Sequence, residues 1–145
     1  MAPDGRSDRV LTYGLRAGPA ARAAFRVCRL HIGSGREHCL ARGMRPEYSP
    51  DGRRIAYLRD SEVWTMRADG SRQRRLTRLG DRPGRPAPIN AVWSPDGRAL
   101  AYTARESTWE ATGELRIIGA RGRGDHRIAS GDALGRLGNV DWRPR

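Results

Sequence analysis

The chain contains no lysine; all 28 of its basic residues are arginine. That absence removes the phosphate-binding loop whose Gly-rich turn ends in Lys. It also argues against selection for holding phosphate backbones, which would ordinarily mix in lysine as a point-charge binder. No run of 18 apolar residues occurs, so no apolar helix long enough to span a bilayer is encoded. The opening residues, Met1 to Arg6, lack the apolar stretch of a secretory signal. No segment keeps a helical hydrophobic period, which excludes a helical bundle. A Gly-x-Ser-x-Gly nucleophile elbow is missing as well.

What is present is a chain of 145 residues, one ordinary domain by length and long enough to bury a core. Charged residues make up 30% and hydrophobic ones 37%, a globular rather than a disordered balance. Net charge is +12, and the arginines are spread from Arg6 to Arg145. With Ala and Gly also abundant, this looks like the codon bias of a GC-rich genome and a solvated surface. Charge-driven attraction to nucleic acid or another polyanion is the alternative reading.

An internal repeat decides the fold. Tyr48-Ser-Pro-Asp-Gly-Arg-Arg-Ile-Ala-Tyr57 recurs 45 residues later as Trp93-Ser-Pro-Asp-Gly-Arg-Ala-Leu-Ala-Tyr102. A degenerate copy opens the chain at Pro3-Asp4-Gly5-Arg6, followed after an insertion by Val10 to Tyr13. A partial one closes it at Asn139-Val140-Asp141-Trp142. The motif reads as a hairpin. An aromatic ends one strand, Pro presets φ in the turn, and Gly takes the positive φ that closes it. Large, small and large apolar residues then alternate at strand period. A second hairpin follows in each period: Val63 to Met66 with Arg75 to Thr77, Leu115 to Ile118 with Arg127 to Ala129, and Val27 to Ile32 with His38 to Leu40. Each period therefore holds four short antiparallel strands, the content of one β-propeller blade. The predicted fold is all-β, a partial propeller of about three blades. Its repeats span approximately 1–44, 45–88 and 89–136, with a spare inner strand over 137–145.

The Trp/Tyr-Ser-Pro-Asp-Gly-Arg-x-Ile/Leu-Ala-Tyr pattern resembles the repeat of TolB-like propellers, the WD-like repeats of bacteria. It is also similar to repeats in the propeller domains of prolyl-oligopeptidase-type peptidases. The resemblance implies a six-bladed or larger propeller, often extracytoplasmic, that binds proteins or small ligands and needs no cofactor. On this basis the chain is expected to be a non-catalytic scaffold for protein–protein contact, periplasmic or otherwise associated with the envelope. A fragment of a peptidase propeller is the enzyme-linked alternative, itself inactive. Propellers typically need four to eight blades. About three blades leave three arrangements: a homodimer, whose C-terminal strands complete each other's first blade, a piece of a longer protein, or an open half-propeller monomer.

Within a blade the connections alternate between two ends of the strands. The tight Asp-Gly turns fall at one end and the longer, irregular connections at the other. Binding residues concentrate on loops held by a rigid scaffold, so the long-loop face is the candidate. It would present Arg16, Arg22, Arg59, Asp81, Arg82, Arg85, Arg105, Glu106 and Trp109, with Arg and Trp the types favoured in interfaces. A Trp109 folded back over a blade edge is the competing placement. Trp64, Trp93 and Trp142 lie in strand patterns and are expected in the core.

Cys28 and Cys39 lie on the two strands of one hairpin. If Gly33 and Ser34 are its turn residues, the two cysteines face each other within disulfide reach. A bond would imply an oxidising compartment; two buried free thiols are the alternative. Cys28, His31, His38 and Cys39 also suggest a metal cluster. Strand alternation argues against it, because in that register the cysteines share one face and the histidines the other. No metal is expected. The repeated Asp51 and Asp96 read as turn-formers, not as catalytic acids.

Overall fold

The computed structural model describes residues 10–17, 24–79, 86–105, 113–130 and 140–142. These form eleven strands and, among the described residues, no helix. The strands are grouped in three antiparallel sheets. Blade 1 consists of β1 (Val10–Ala17), β2 (Ala24–His31) and β3 (Arg36–Arg42). Blade 2 consists of β4 (Met44–Tyr48), β5 (Arg54–Arg59), β6 (Glu62–Arg67) and β7 (Arg74–Arg75). Blade 3 consists of β8 (Ala87–Trp93), β9 (Ala99–Arg105), β10 (Gly113–Gly119) and β11 (His126–Ser130). In every sheet the spatial order follows the chain. The repeat motif places β1, β5 and β9 at equivalent positions, so blade 1 as described lacks the counterpart of β4 and β8.

The repeated turns close by identical chemistry. Gly52 N–H donates to Ser49 C=O at 2.8 Å, and Gly97 N–H to Ser94 C=O at 2.8 Å. The two glycines have φ of +68° and +66°, which costs a residue without a Cβ little. The buried Ser49 hydroxyl accepts from Arg54 N–H at 2.9 Å and donates to the Asp51 carboxylate at 2.6 Å. That carboxylate also accepts from Arg53 N–H at 3.1 Å. Ser94, Asp96, Arg98 and Ala99 repeat the set at 3.0, 2.6 and 3.0 Å. The serine hydroxyl and aspartate thus satisfy backbone donors that the turn removes from the ladder. These bonds hold both aspartates below the ordinary carboxylate range, the serine hydroxyl contributing most.

The blades stack face to face. The large side chains of Ile55, Tyr57 and Met66 pack against Val27, Leu40 and Ala41 of blade 1. The opposite, smaller face of blade 2, with Ala56, Leu58 and Val63, receives Trp93, Leu100, Tyr102 and Ile118 of blade 3. Each blade therefore offers a bulky face to its predecessor and a small one to its successor. This is the structural meaning of the large-small-large alternation in Ile55-Ala56-Tyr57 and Leu100-Ala101-Tyr102. The repeated tyrosines then anchor the outer part of the blade. Tyr57 Oη donates to Gln73 Oε1 at 3.4 Å and Tyr102 Oη to Asp125 Oδ1 at 2.8 Å.

The inter-blade joint is itself repeated. Trp93 Nε1–H donates to Glu47 C=O, on the first strand of the blade before, at 3.2 Å. Trp142 Nε1–H donates to Val92 C=O at 3.4 Å. Val92 precedes Trp93 as Glu47 precedes Tyr48, so Trp142 sits against blade 3 as Trp93 sits against blade 2. Residues 140–142 have no strand pairing, and Trp142 is half-buried rather than core.

Two further details depart from the sequence reading. The Val27–Cys39 hairpin has four connecting residues, closed by Gly35 N–H on His31 C=O at 2.8 Å. The register is unchanged, because a symmetric four-residue loop keeps the centre of a two-residue one; Cys28 still opposes Cys39. β7 is only two residues long. Leu76 and Thr77 leave the ladder because both N–H groups turn to Val63 C=O, at 2.8 and 3.5 Å. Thr77 Oγ1 meanwhile accepts from Val63 N–H at 2.9 Å and bonds the buried Glu62.

Candidate binding site

At the loop end of the strands, the candidate residues with described side chains are Arg59 and Arg105. Arg105 ends β9 and is exposed. Arg59 ends β5, where the connection to β6 is a two-residue turn, Asp60-Ser61, with φ of +49° and +59°. Its guanidinium lies over the Trp64 ring, 4.9 Å from the centroid. It also bonds Asp60 Oδ2 at 3.3 Å and Gln73 Oε1 at 3.5 Å. Arg59 is therefore laid along the blade, and Trp64 is half-buried beneath it. Arg16 belongs to β1, where its backbone pairs with Phe25. Arg22, Asp81, Arg82, Arg85, Glu106 and Trp109 lie outside the described residues, and so do the long connections that carry them.

A groove of about 450 Å³ runs beside the first strands of blades 2 and 3 and the Val140–Asp141 segment. Glu47 is its distinctive group. Burial pushes this carboxyl above the ordinary glutamate range. Trp93 N–H, 3.3 Å from Oε1, pulls it back, and the nearby Asp141 pushes it further up. Nothing in the sequence singled out Glu47, because it lies on a strand with no motif of its own.

Blade 3 carries a polar cluster that sequence reading also missed. Arg116 Nε–H donates to Asp125 Oδ1 at 3.1 Å and Nη1–H to Glu114 Oε2 at 2.9 Å. Arg127 reaches the other oxygen of Glu114 at 3.4 Å. Burial, reinforced by Asp125, drives the Tyr102 phenol far above its usual range, so it remains a neutral donor. Partial burial disfavours the Arg116 charge, but Asp125 and Glu114 outweigh it and hold the guanidinium above the ordinary arginine range. The cluster joins β9, β10 and the segment before β11. Its acids and bases satisfy one another.

Cys28 and Cys39 are joined by a disulfide. Glu37 brings a carboxylate near the same two sulfurs, but the bond occupies both of them. His38 is opposite Arg29, and His31 opposite Arg36, in the β2–β3 register; each histidine is thus an odd number of residues from a cysteine and on the other face.

No family model matches the chain, and no curated protein matches it. Solved structures do. TolB from Acinetobacter baumannii is similar at a TM-score of 0.60 and 19% identity, over 83% of this chain and 30% of that one. The β-propeller domain of the Trilobed protease from Pyrococcus furiosus gives 0.60 at 15% identity, over 83% and 39%. The acylaminoacyl peptidase of Pyrococcus horikoshii gives 0.64 at 14% identity, over 83% and 23%. The chain thus spans well under half the length of each. With one three-stranded and two four-stranded antiparallel sheets stacked in chain order, the fold is that of a partial TolB-like β-propeller.

Proposed function

We propose that this chain is a non-catalytic propeller scaffold for protein–protein contact, acting outside the cytoplasm. The observation that carries the reading is the use made of the repeated polar residues. Ser49, Asp51, Ser94 and Asp96 close turns, while Tyr57 and Tyr102 pin the outer strands. Binding is then left to residues that differ between blades, which the loop end supplies. The Cys28–Cys39 bond supports an oxidising compartment. The test is capture of partners from envelope extract by the wild-type chain, against a variant with Arg59, Arg105 and Trp109 replaced by alanine. Loss of specific partners is expected; an unchanged partner set removes the loop face.

The likeness to two peptidase structures favours a second reading, a piece of a peptidase propeller. A neighbouring reading frame carrying a serine-hydrolase domain would select it. Both readings take the stack to continue beyond blade 3, and the Trp142 joint supports this. A second copy of the chain is one source of the further blades.

A further inference from the structure

The turn end of the blades carries a groove of about 890 Å³ that is lined by seven arginines and two aspartates. Arg29 comes from blade 1 and Arg121 from blade 3; Arg53, Arg67, Arg72 and Arg74 come from blade 2. Two of the seven are engaged. Arg29 Nη1–H donates to Ala68 C=O at 3.2 Å. Arg54 donates to Gly97 C=O at 2.7 Å and covers the Trp93 ring at 4.6 Å. The other five are exposed, and among the described residues their guanidinium groups have no hydrogen-bond or ion-pair partner. Arg29 Nε is buried and also lacks one.

The two acids offset only part of this charge. Asp51 is bound to Ser49 and Arg53 N–H in its turn, and Asp69 accepts from Ser71 N–H at 2.8 Å. Both are held below the ordinary carboxylate range, first by the neighbouring serine hydroxyl. Seven positive and two negative groups leave the groove at a net +5. Elsewhere Arg116, Arg127 and Arg59 sit against Glu114, Asp125 and Asp60, and exposed arginines such as Arg36, Arg42 and Arg78 have no such partner. Among the described residues, only the groove gathers seven arginines from three blades, five of them unpartnered, into one concavity.

We propose that this groove binds an acidic peptide segment of a protein partner. Guanidinium forks match carboxylates two oxygens at a time, and the volume suits a few side chains. The sheet at Thr65 and Met66 forms the floor of the groove. A nucleic-acid strand fits less well. No aromatic lines the groove for base stacking. The site lies at the opposite end of the strands from the loop face and does not depend on it.

The test is fluorescence anisotropy of the full chain with a labelled oligoglutamate peptide and, separately, labelled single-stranded DNA of equal charge. One variant carries Arg67→Gln, Arg74→Gln and Arg121→Gln; a control carries Arg36→Gln, Arg42→Gln and Arg78→Gln. All six positions are exposed, and thermal melts verify that both variants fold. Peptide affinity should fall roughly tenfold or more in the groove variant and only about two- to threefold in the control. Equal losses would mean that net charge alone acts, and would overturn the site. Absence of peptide binding would overturn it too. Tighter binding of DNA, lost in the groove variant, would replace the peptide with nucleic acid.

Discussion

Single residues set the geometry of the turns and of one tight blade junction. Ser49 and Ser94 are buried at the centre of their turns. Ser49→Ala or Ser94→Ala should each cost about 1–2 kcal/mol, because a backbone N–H loses its acceptor; chemical denaturation would measure this. The turns also have a pH signature. Asp51 and Asp96 have folded pKa values below the ordinary 3.8. Their stabilisation is therefore complete above that value and is lost as pH falls through the folded pKa. Acid melts should show this loss, and the serine variants should show less of it. At Gly43, φ is +145° and a Cβ would meet Tyr57 Cδ2 at 2.6 Å and Leu58 O at 2.7 Å. Gly43→Ala is expected to destabilise by about 2–3 kcal/mol. The reverse holds at exposed Ser61, whose φ of +59° is left-handed. Ser61→Gly should raise stability by about 1 kcal/mol.

The strands and hairpins draw their stability from different sources in the three blades. Blade 2 has buried strands, with Ile55 to Leu58 all in the core, but a last strand of two residues. Blade 1 is thinner: β3 has no fully buried residue, and a disulfide ties it to β2. Reduction should cost about 3 kcal/mol, the entropy of reopening a short loop; melts with and without reductant would show it. Blade 3 depends on Trp93. It fills the joint to blade 2, donates to Glu47 C=O and lies under Arg54. Trp93→Ala should cost about 3–5 kcal/mol. Trp142→Ala should cost less, because its ring is half-exposed.

At the scale of the whole molecule, the bulky-to-small stacking of the blades has a direction and no internal stop. The small face of blade 3, with the buried Ala101 and Thr103, corresponds to the face on blade 2 that blade 3 covers, and Trp142 touches the first strand of blade 3. If a second copy supplies the next blade, light scattering should report a dimer at micromolar concentration; a clean monomer would remove that arrangement. Charge acts at this scale as well. Any binding to DNA that rests on the net +12 must weaken steeply with salt, and salt-insensitive binding would exclude it.

The sequence by itself determined the hairpins, because turn closure is local. Ser-Pro-Asp-Gly and the apolar alternation around it hold their hydrogen bonds within six residues, so the strands, their order and the 28–39 register were readable without coordinates. Only the tertiary structure decided what meets across blades. Arg54 on Gly97 C=O and Trp142 on Val92 C=O join residues about 43 and 50 positions apart. The five unpaired arginines of the turn-end groove come from two blades and are scattered between positions 53 and 121. No local pattern records such contacts. The sequence carries the arginines, and only the stacking of blades turns a dispersed charge into a site.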